Sequence, residues 1–201
     1  MMLAAIPMRA AEVGATLPVS MPAEVPPQVP VAPLLPPERW LSSSLGAPEM
    51  GGEPAVPPLA YPLAVLALQI DPWGWRYSES RGAWRMHTGV DFAAPSGTPV
   101  LAALSGTVVL AESLSGYGLT VILDHGRGLQ TLYAHLQQIE VTVGSSLNEG
   151  EPLGRVGMTG TATGPHLHFE LRRQAELPLA LDPTPHLPPL QPPPALTGAG
   201  P

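Results

Sequence analysis

The stretch Gly164-Pro165-His166-Leu167-His168-Phe169-Glu170 decides how this 201-residue chain is read. In a β-strand successive side chains point to opposite faces, so His166 and His168 share one face while Leu167 and Phe169 share the other. Two imidazoles on one face, anchored by apolar residues on the opposite face, is a geometry that holds a metal ion. A second half-site lies far upstream, in His87-Thr88-Gly89-Val90-Asp91. Residues four apart share a face in a helix and also in a strand, so His87 and Asp91 can converge in either case. Together the segments offer two or three imidazoles and one carboxylate, a set that suits zinc with an open coordination position.

Composition limits the alternatives. The net charge of −7, with no long basic run, argues against nucleic acid as the partner. Cysteine is absent, which excludes disulfides, thiolate nucleophiles and Cys-type zinc sites. All nine basic residues are arginines, so lysine Schiff-base chemistry and lysine-attached swinging cofactors are excluded as well. The apolar run 64–70 is far too short to cross a membrane, and no transmembrane segment is expected. Residues 1–8 are apolar but short and lack a preceding basic residue, which makes a weak export signal.

Proline marks the boundaries. Of the 28 prolines, 14 fall in residues 1–62, nine in 178–201 and five between. Proline pairs cannot sustain helices or central strands. Residues 1–62 are therefore expected to be a disordered leader and 188–201 a disordered tail, both spacers, around one folded domain at 63–187.

Inside that domain the pattern is β. Short runs rich in Val, Leu, Ile, Thr and Tyr, separated by closely spaced glycines, predict strands at 100–103, 106–111, 119–124, 129–136, 139–143, 152–156 and 166–172. No long amphipathic helix appears. The expected fold class is mainly β, an antiparallel β-sheet sandwich or open barrel with a zinc-containing groove. Over 129–136, alternation puts Tyr133 and His135 on one face and Leu132, Ala134 and Leu136 on the other, as in a strand flooring a cleft. His125 reads as a turn histidine that bonds backbone, and His186 as a bystander in a proline-rich tail. Glu170 shares the face of His166 and His168; it either orients a ligand or lies solvated beyond the cleft. The glycine-rich stretch 157–164 lacks the lysine and spacing of a phosphate-binding loop, and reads better as a groove-edge loop delivering the His-Leu-His strand.

Over residues 86–172 the chain resembles the zinc endopeptidases of the LytM/lysostaphin type, peptidase family M23, which cut peptide bonds in bacterial peptidoglycan. The matching pieces are His87-Thr-Gly-Val-Asp91-Phe-Ala-Ala-Pro, Gly97-Thr-Pro-Val-Leu-Ala, Gly106-Thr-Val-Val, Thr131-Leu-Tyr-Ala-His135-Leu, Gly154-Arg-Val-Gly-Met-Thr-Gly and Thr163-Gly-Pro-His166-Leu-His168-Phe-Glu. Trp73-Gly74-Trp75-Arg76 resembles the segment leading into the family's first metal ligand. The resemblance implies a small antiparallel fold of the duplicated hybrid motif type. It implies one zinc ion per domain on His87, Asp91 and His168, with His135 and His166 acting on the water and the transition state. Bound zinc would lower the pKa of its water to about 7, and a neutral imidazole could take the water proton. The substrate implied is the peptidoglycan peptide, met in the periplasm or outside the cell; the domain is expected to be a monomer. A D-alanyl to diamino-acid cross-link is the usual bond for envelope members, and a glycine bridge the alternative.

Departures from the family matter too. Some members block the metal with an asparagine of a folded pro-region; the one asparagine here, Asn148, lies inside the domain. Tyr77 stands ten residues before His87 and cannot be mapped onto the tyrosine that some members place near the transition state. A regulator of a cell-wall amidase with the same fold is the rival reading, although such relatives usually lose metal ligands. Residues 141–157 have the rhythm of a biotinyl carrier, a reading that fails without lysine.

Overall fold

The computed structural model describes residues 20–35, 55–175 and 177–189. Among them the chain forms β1 (Gln28–Pro30), β2 (Gln69–Asp71), β3 (Gly74–Ser78), β4 (Ala83–His87), β5 (Val90–Ala93), β6 (Pro99–Leu101), β7 (Gly106–Leu114), β8 (Gly118–Asp124), β9 (Leu129–Ile139), β10 (Ser146–Leu147), β11 (Pro152–Val156), β12 (His166–Arg173) and β13 (Leu179–Leu181). Two single-turn 3₁₀ pieces, Glu79–Arg81 and Thr184–His186, are the helical content of the described residues. The chain is thus nearly all β, in an antiparallel sheet that stays open, as the sequence predicts.

Strand β12 is the spine because it is paired on both edges. One edge runs against β9, from His168↔Ala134 to Arg173↔Leu129. The other runs first against β5, from His166↔Ala93 to Phe169↔Val90, and then against β13, from Leu171↔Leu181 to Arg173↔Leu179. Beyond β9 the sheet continues through β8, β7 and β10, while β11 bridges β6 and β9. A separate hairpin of β3 and β4 pairs Gly74 with His87.

The face of β12 is fixed by packing. Leu167, Phe169 and Leu171 are fully buried in the larger core, with Val90, Phe92, Tyr133, Val121 and Val156. Each such side chain contributes roughly 1.5–3 kcal/mol on burial. A one-residue slip would move all three out of this core and drive His168, Glu170 and Arg172 into it, so the register is strongly specified. The opposite face of the sheet carries a smaller apolar cluster of Leu35, Leu110, Ile122, Leu132 and Ala134, and on this side β12 presents its histidines.

Several expectations change in the folded chain. The predicted strand at 139–143 ends at Ile139, because Thr142 and Ser145 close a turn through Ser145 N–H to Thr142 O at 3.0 Å. Alternation along β9 also fails at its far end. Tyr133 and Leu136 both enter the larger core, while Leu132 and Ala134 face the smaller one. The interruption is His135, which adopts φ +59° next to a register shift against β8. Tyr133 therefore does not floor a cleft; its buried hydroxyl accepts the Ala103 N–H at 2.8 Å and bonds the Thr131 hydroxyl at 3.0 Å.

Part of the stretch expected to be disordered leader is also ordered. Residues 28–30 add β1 to the edge of β13, a position where proline is tolerated. The indole N–H groups of Trp73 and Trp75 donate to the carbonyls of Pro26 and Glu24, each at 2.8 Å. Leu35, only 5 % exposed, closes the smaller cluster. An open strand edge and two indole N–H groups supply partners that a proline-rich segment cannot find within itself. The remaining parts of the expected arms, 1–19, 36–54 and 190–201, lie outside the described residues.

Candidate metal centre

The half-sites meet through strand register. His168 lies directly opposite Asp91 across β12 and β5, and directly opposite residues of an antiparallel pair share a face. His87 arrives from the end of β4, with Thr88 and Gly89 forming the step to β5. That step needs glycine: a Cβ at position 89 would stand 2.5 Å from the Phe169 carbonyl and 2.9 Å from His168 Cε1. The His87–Asp91 spacing is thus neither one helix nor one continuous strand: His87 ends β4 and Asp91 lies in β5, joined by this step.

Three donor atoms converge as a result. His168 Nδ1 is 2.7 Å from Asp91 Oδ1, His87 Nε2 is 3.0 Å from the same oxygen, and the two ring nitrogens are 3.2 Å apart. Ligands at zinc bond lengths of about 2.0–2.1 Å stand about 3.3 Å apart on a tetrahedron, so the set fits such an ion. Two neutral imidazoles and one carboxylate are also the right chemistry. The group is able to hold a metal ion, and each of its members is half-buried or buried. The outward nitrogens are occupied: His87 Nδ1 lies 2.9 Å from the Pro72 carbonyl and 2.7 Å from Arg76 Nη2, and His168 Nε2 lies 2.9 Å from Glu170 Oε1. Such partners orient metal-binding histidines.

Charge follows from this geometry. Burial opposes ionisation of Asp91, but hydrogen bonds from His168 and His87 outweigh it and hold the carboxyl well below the usual range. For His168 burial disfavours the imidazolium, yet Asp91 and Glu170 outweigh it and raise its pKa to about 9. A proton and a metal ion would therefore compete for the same point.

The other two histidines flank it. His166 donates Nδ1–H to the Gly164 carbonyl and His135 donates Nδ1–H to the Thr159 carbonyl, both at 2.8 Å. Each keeps Nε2 for the site; His166 Nε2 is 3.9 Å from Asp91 Oδ1, and the rings of His135 and His166 are 4.7 Å apart. Burial, together with nearby His166 and His168, lowers the pKa of His135, so it is neutral at pH 7. Its left-handed backbone is uncommon for a residue other than glycine, and here it is held by His135 N–H to the Tyr117 carbonyl at 2.8 Å. The 157–164 stretch does edge the groove: Thr159 fixes His135 and Gly157 bridges to His166.

Sequence reasoning passed over four neighbours. Arg76 Nη2 contacts His87 Nδ1 at 2.7 Å, and its Nη1 bonds Asp71 and approaches Asp91 Oδ2 at 3.9 Å. Tyr117, Thr88 and Arg172 all reach Glu170. Family likeness at Trp73–Arg76 hinted at the first of these; Tyr117, set between two turn glycines, carried no local signal. His125 stands apart, bonded to the Ser105 carbonyl and the Thr131 hydroxyl, and Tyr77 packs edge-on against Trp84 in the outer hairpin. Asn148 pairs with Glu151 in an exposed turn, and His186 ends the last 3₁₀ piece.

Residues 85–180 match the model of peptidase family M23. The chain is 46 % identical over 101 residues to the DD-carboxypeptidase/endopeptidase Mpg of Neisseria meningitidis, covering 50 % of this chain and 23 % of that protein. It is 40 % identical over 112 residues to the murein hydrolase activator EnvC of Escherichia coli, covering 56 % and 26 %. The chain thus spans about a quarter of the length of these relatives. Among solved structures, a zinc-containing peptidase from Vibrio cholerae aligns with TM-score 0.54 at 32 % identity, over 60 % of this chain and 37 % of that one. The catalytic domain of the antimicrobial peptidase lysostaphin from Staphylococcus simulans aligns with TM-score 0.53 at 34 % identity, over 58 % of this chain and 90 % of that one.

Proposed function

This chain belongs to peptidase family M23, and from that premise we propose that it is a zinc-dependent endopeptidase hydrolysing peptide bonds in peptidoglycan cross-links. The observation that carries the proposal is the convergence of His87 Nε2, Asp91 Oδ1 and His168 Nδ1 beside the inward-facing Nε2 atoms of His135 and His166. The substrate sits in the envelope, so the domain acts in the periplasm or outside the cell. The similarity to Mpg, named as a DD-carboxypeptidase/endopeptidase, favours a D-alanyl to diamino-acid bond.

Zinc held by His87, Asp91 and His168 would supply Lewis-acid polarisation of the scissile carbonyl and acidify the attacking water. His135 and His166 would move the protons. Each has its Nδ1 hydrogen committed to a backbone carbonyl, so the Nε2 lone pair faces the reacting atoms. One takes the proton from water as bond formation begins, and the imidazolium so formed returns it to the departing amine. The other, 4.7 Å away between ring centres, would steady negative charge on the carbonyl oxygen only as an imidazolium, with Nε2–H as the donor. The low pKa of His135 keeps it ready as a base at neutral pH.

Similarity to EnvC, an activator of murein hydrolases by name, supports a rival reading in which the fold binds and does not cut. The filled donor set favours the enzyme. Mass spectrometry of fragments released from purified peptidoglycan, with and without a zinc chelator, decides between them. Chelator-sensitive peptides with new amino ends are expected and identify the bond. Intact wall of several chemotypes, with zinc bound, would overturn the enzyme reading.

A further inference from the structure

We propose that Glu170, clamped by Arg172, Tyr117 and Thr88, is a positioning residue that locks His168 into its metal-binding tautomer. The inference concerns metal binding and rests on the peptidase reading only for its kinetic consequence. Glu170 has no exposed surface, and a buried carboxylate is costly unless its oxygens are fully bonded. Oε2 takes the Arg172 Nε hydrogen at 2.6 Å. A simple structural ion pair would need no more. Oε1, however, faces three further groups: it accepts the Thr88 hydroxyl at 2.8 Å and the Tyr117 hydroxyl at 3.0 Å, and lies 2.9 Å from His168 Nε2.

Tyr117 closes the arrangement, because its oxygen also accepts from Arg172 Nη2 at 3.0 Å and so has its hydrogen left only for Glu170. Paired with arginine, the Glu170 carboxylate is an acceptor only. His168 Nε2 must therefore carry hydrogen, and in the neutral ring the Nδ1 lone pair then points at Asp91 Oδ1 and His87 Nε2. Two acceptors 2.7 Å apart repel unless a cation or a proton stands between them. The clamp thus turns an unspecialised histidine into a directed donor. Thr88 extends it, since it follows His87 directly and ties the β4–β5 step to β12.

The test uses the full 201-residue chain as wild type, Glu170→Gln and Tyr117→Phe. Zinc affinity is measured by competition with a chelator of known strength, and the visible absorption of the Co(II) form reports the donor geometry. Glu170→Gln is expected to raise the zinc dissociation constant 10- to 100-fold, in the range for lost outer partners of metal ligands, and to change the Co(II) spectrum. Tyr117→Phe, which keeps both buried charges and the ring, is expected to raise it roughly two- to tenfold, the worth of one hydrogen bond. Wild-type affinity and spectrum in a folded Glu170→Gln protein would overturn the clamp. If that variant does not fold, the same result in Tyr117→Phe overturns it. Neither readout uses peptidoglycan: weakened zinc in a chain that cuts no wall leaves the clamp standing and sinks only the peptidase reading.

Discussion

The β8–β9 pair carries a histidine constellation at each end, and the two ends use the same side chain differently. At the turn end, His125 donates Nδ1–H to the Ser105 carbonyl at 2.9 Å and meets the Thr131 hydroxyl at 2.8 Å. Both nitrogens are consumed, and burial lowers its pKa. At the opposite end, His135 is likewise buried and lowered, but only one of its nitrogens is consumed. Beyond it His168 has a carboxylate at each nitrogen, and its pKa moves up to about 9. Burial alone does not make a functional histidine. The atoms facing the second nitrogen distinguish them: a hydroxyl leaves a strut, a second nitrogen without a protein partner suits the proposed base, and a carboxylate beside another imidazole suits the proposed metal ligand.

The sharpest break in this contrast comes from Asp91→Ala, which removes the only carboxylate among the three converging donors. Zinc content by atomic absorption is expected to fall to background, and hydrolysis with it; stoichiometric zinc in the variant would remove Asp91 from the proposed ligand set. His135→Ala should separate the two roles. It keeps zinc and loses about 10²–10⁴ in turnover, the span of one general acid–base group, so full activity would end its assignment.

Acid sharpens the contrast next. Below about pH 9 His168 holds a proton that must leave before Nδ1 can bind metal. Zinc affinity is thus expected to fall about tenfold for each pH unit lowered from 9 toward 7, since one proton is exchanged per ion. A pH-independent affinity in chelator titrations would show that no proton competes. The smallest effect belongs to the other end of the pair. His125→Ala removes one of two bonds at the Thr131 hydroxyl and the bond to the exposed Ser105 carbonyl, and should cost about 0.5–1.5 kcal/mol of stability in denaturant melts. Turnover per folded molecule is expected to be unchanged; a large loss would make the two ends alike.

Legibility in the sequence followed the range of the interactions. The strand at 166–172 was readable because alternation persists over His166-Leu-His-Phe-Glu-Leu-Arg172, and it forms within His166–Arg173. Short pieces such as β2 and β13 carry too few residues for a pattern and exist because β5 and β12 offer them an edge. His135 was visible as a residue but not as a conformation. Its positive φ is imposed by the Tyr117 carbonyl and Thr159, 18 and 24 positions away along the chain. Tyr117 itself looked like a turn residue, and nothing local announced a hydroxyl bonded to Glu170 from 53 residues away.

By itself the sequence determined the mainly β class, the exclusion of thiol and lysine chemistry, and the face on which His166 and His168 stand. Those follow from composition and from the two-residue period of an extended chain, which need no partner to be read. Only the tertiary structure decided that Asp91 stands opposite His168, that residues 28–30 join the sheet edge, and that Glu170 is enclosed by Thr88, Tyr117 and Arg172. Hydrogen bonds between distant segments, and the burial that makes each one obligatory, are properties of the packed sheet and have no local signature in the chain.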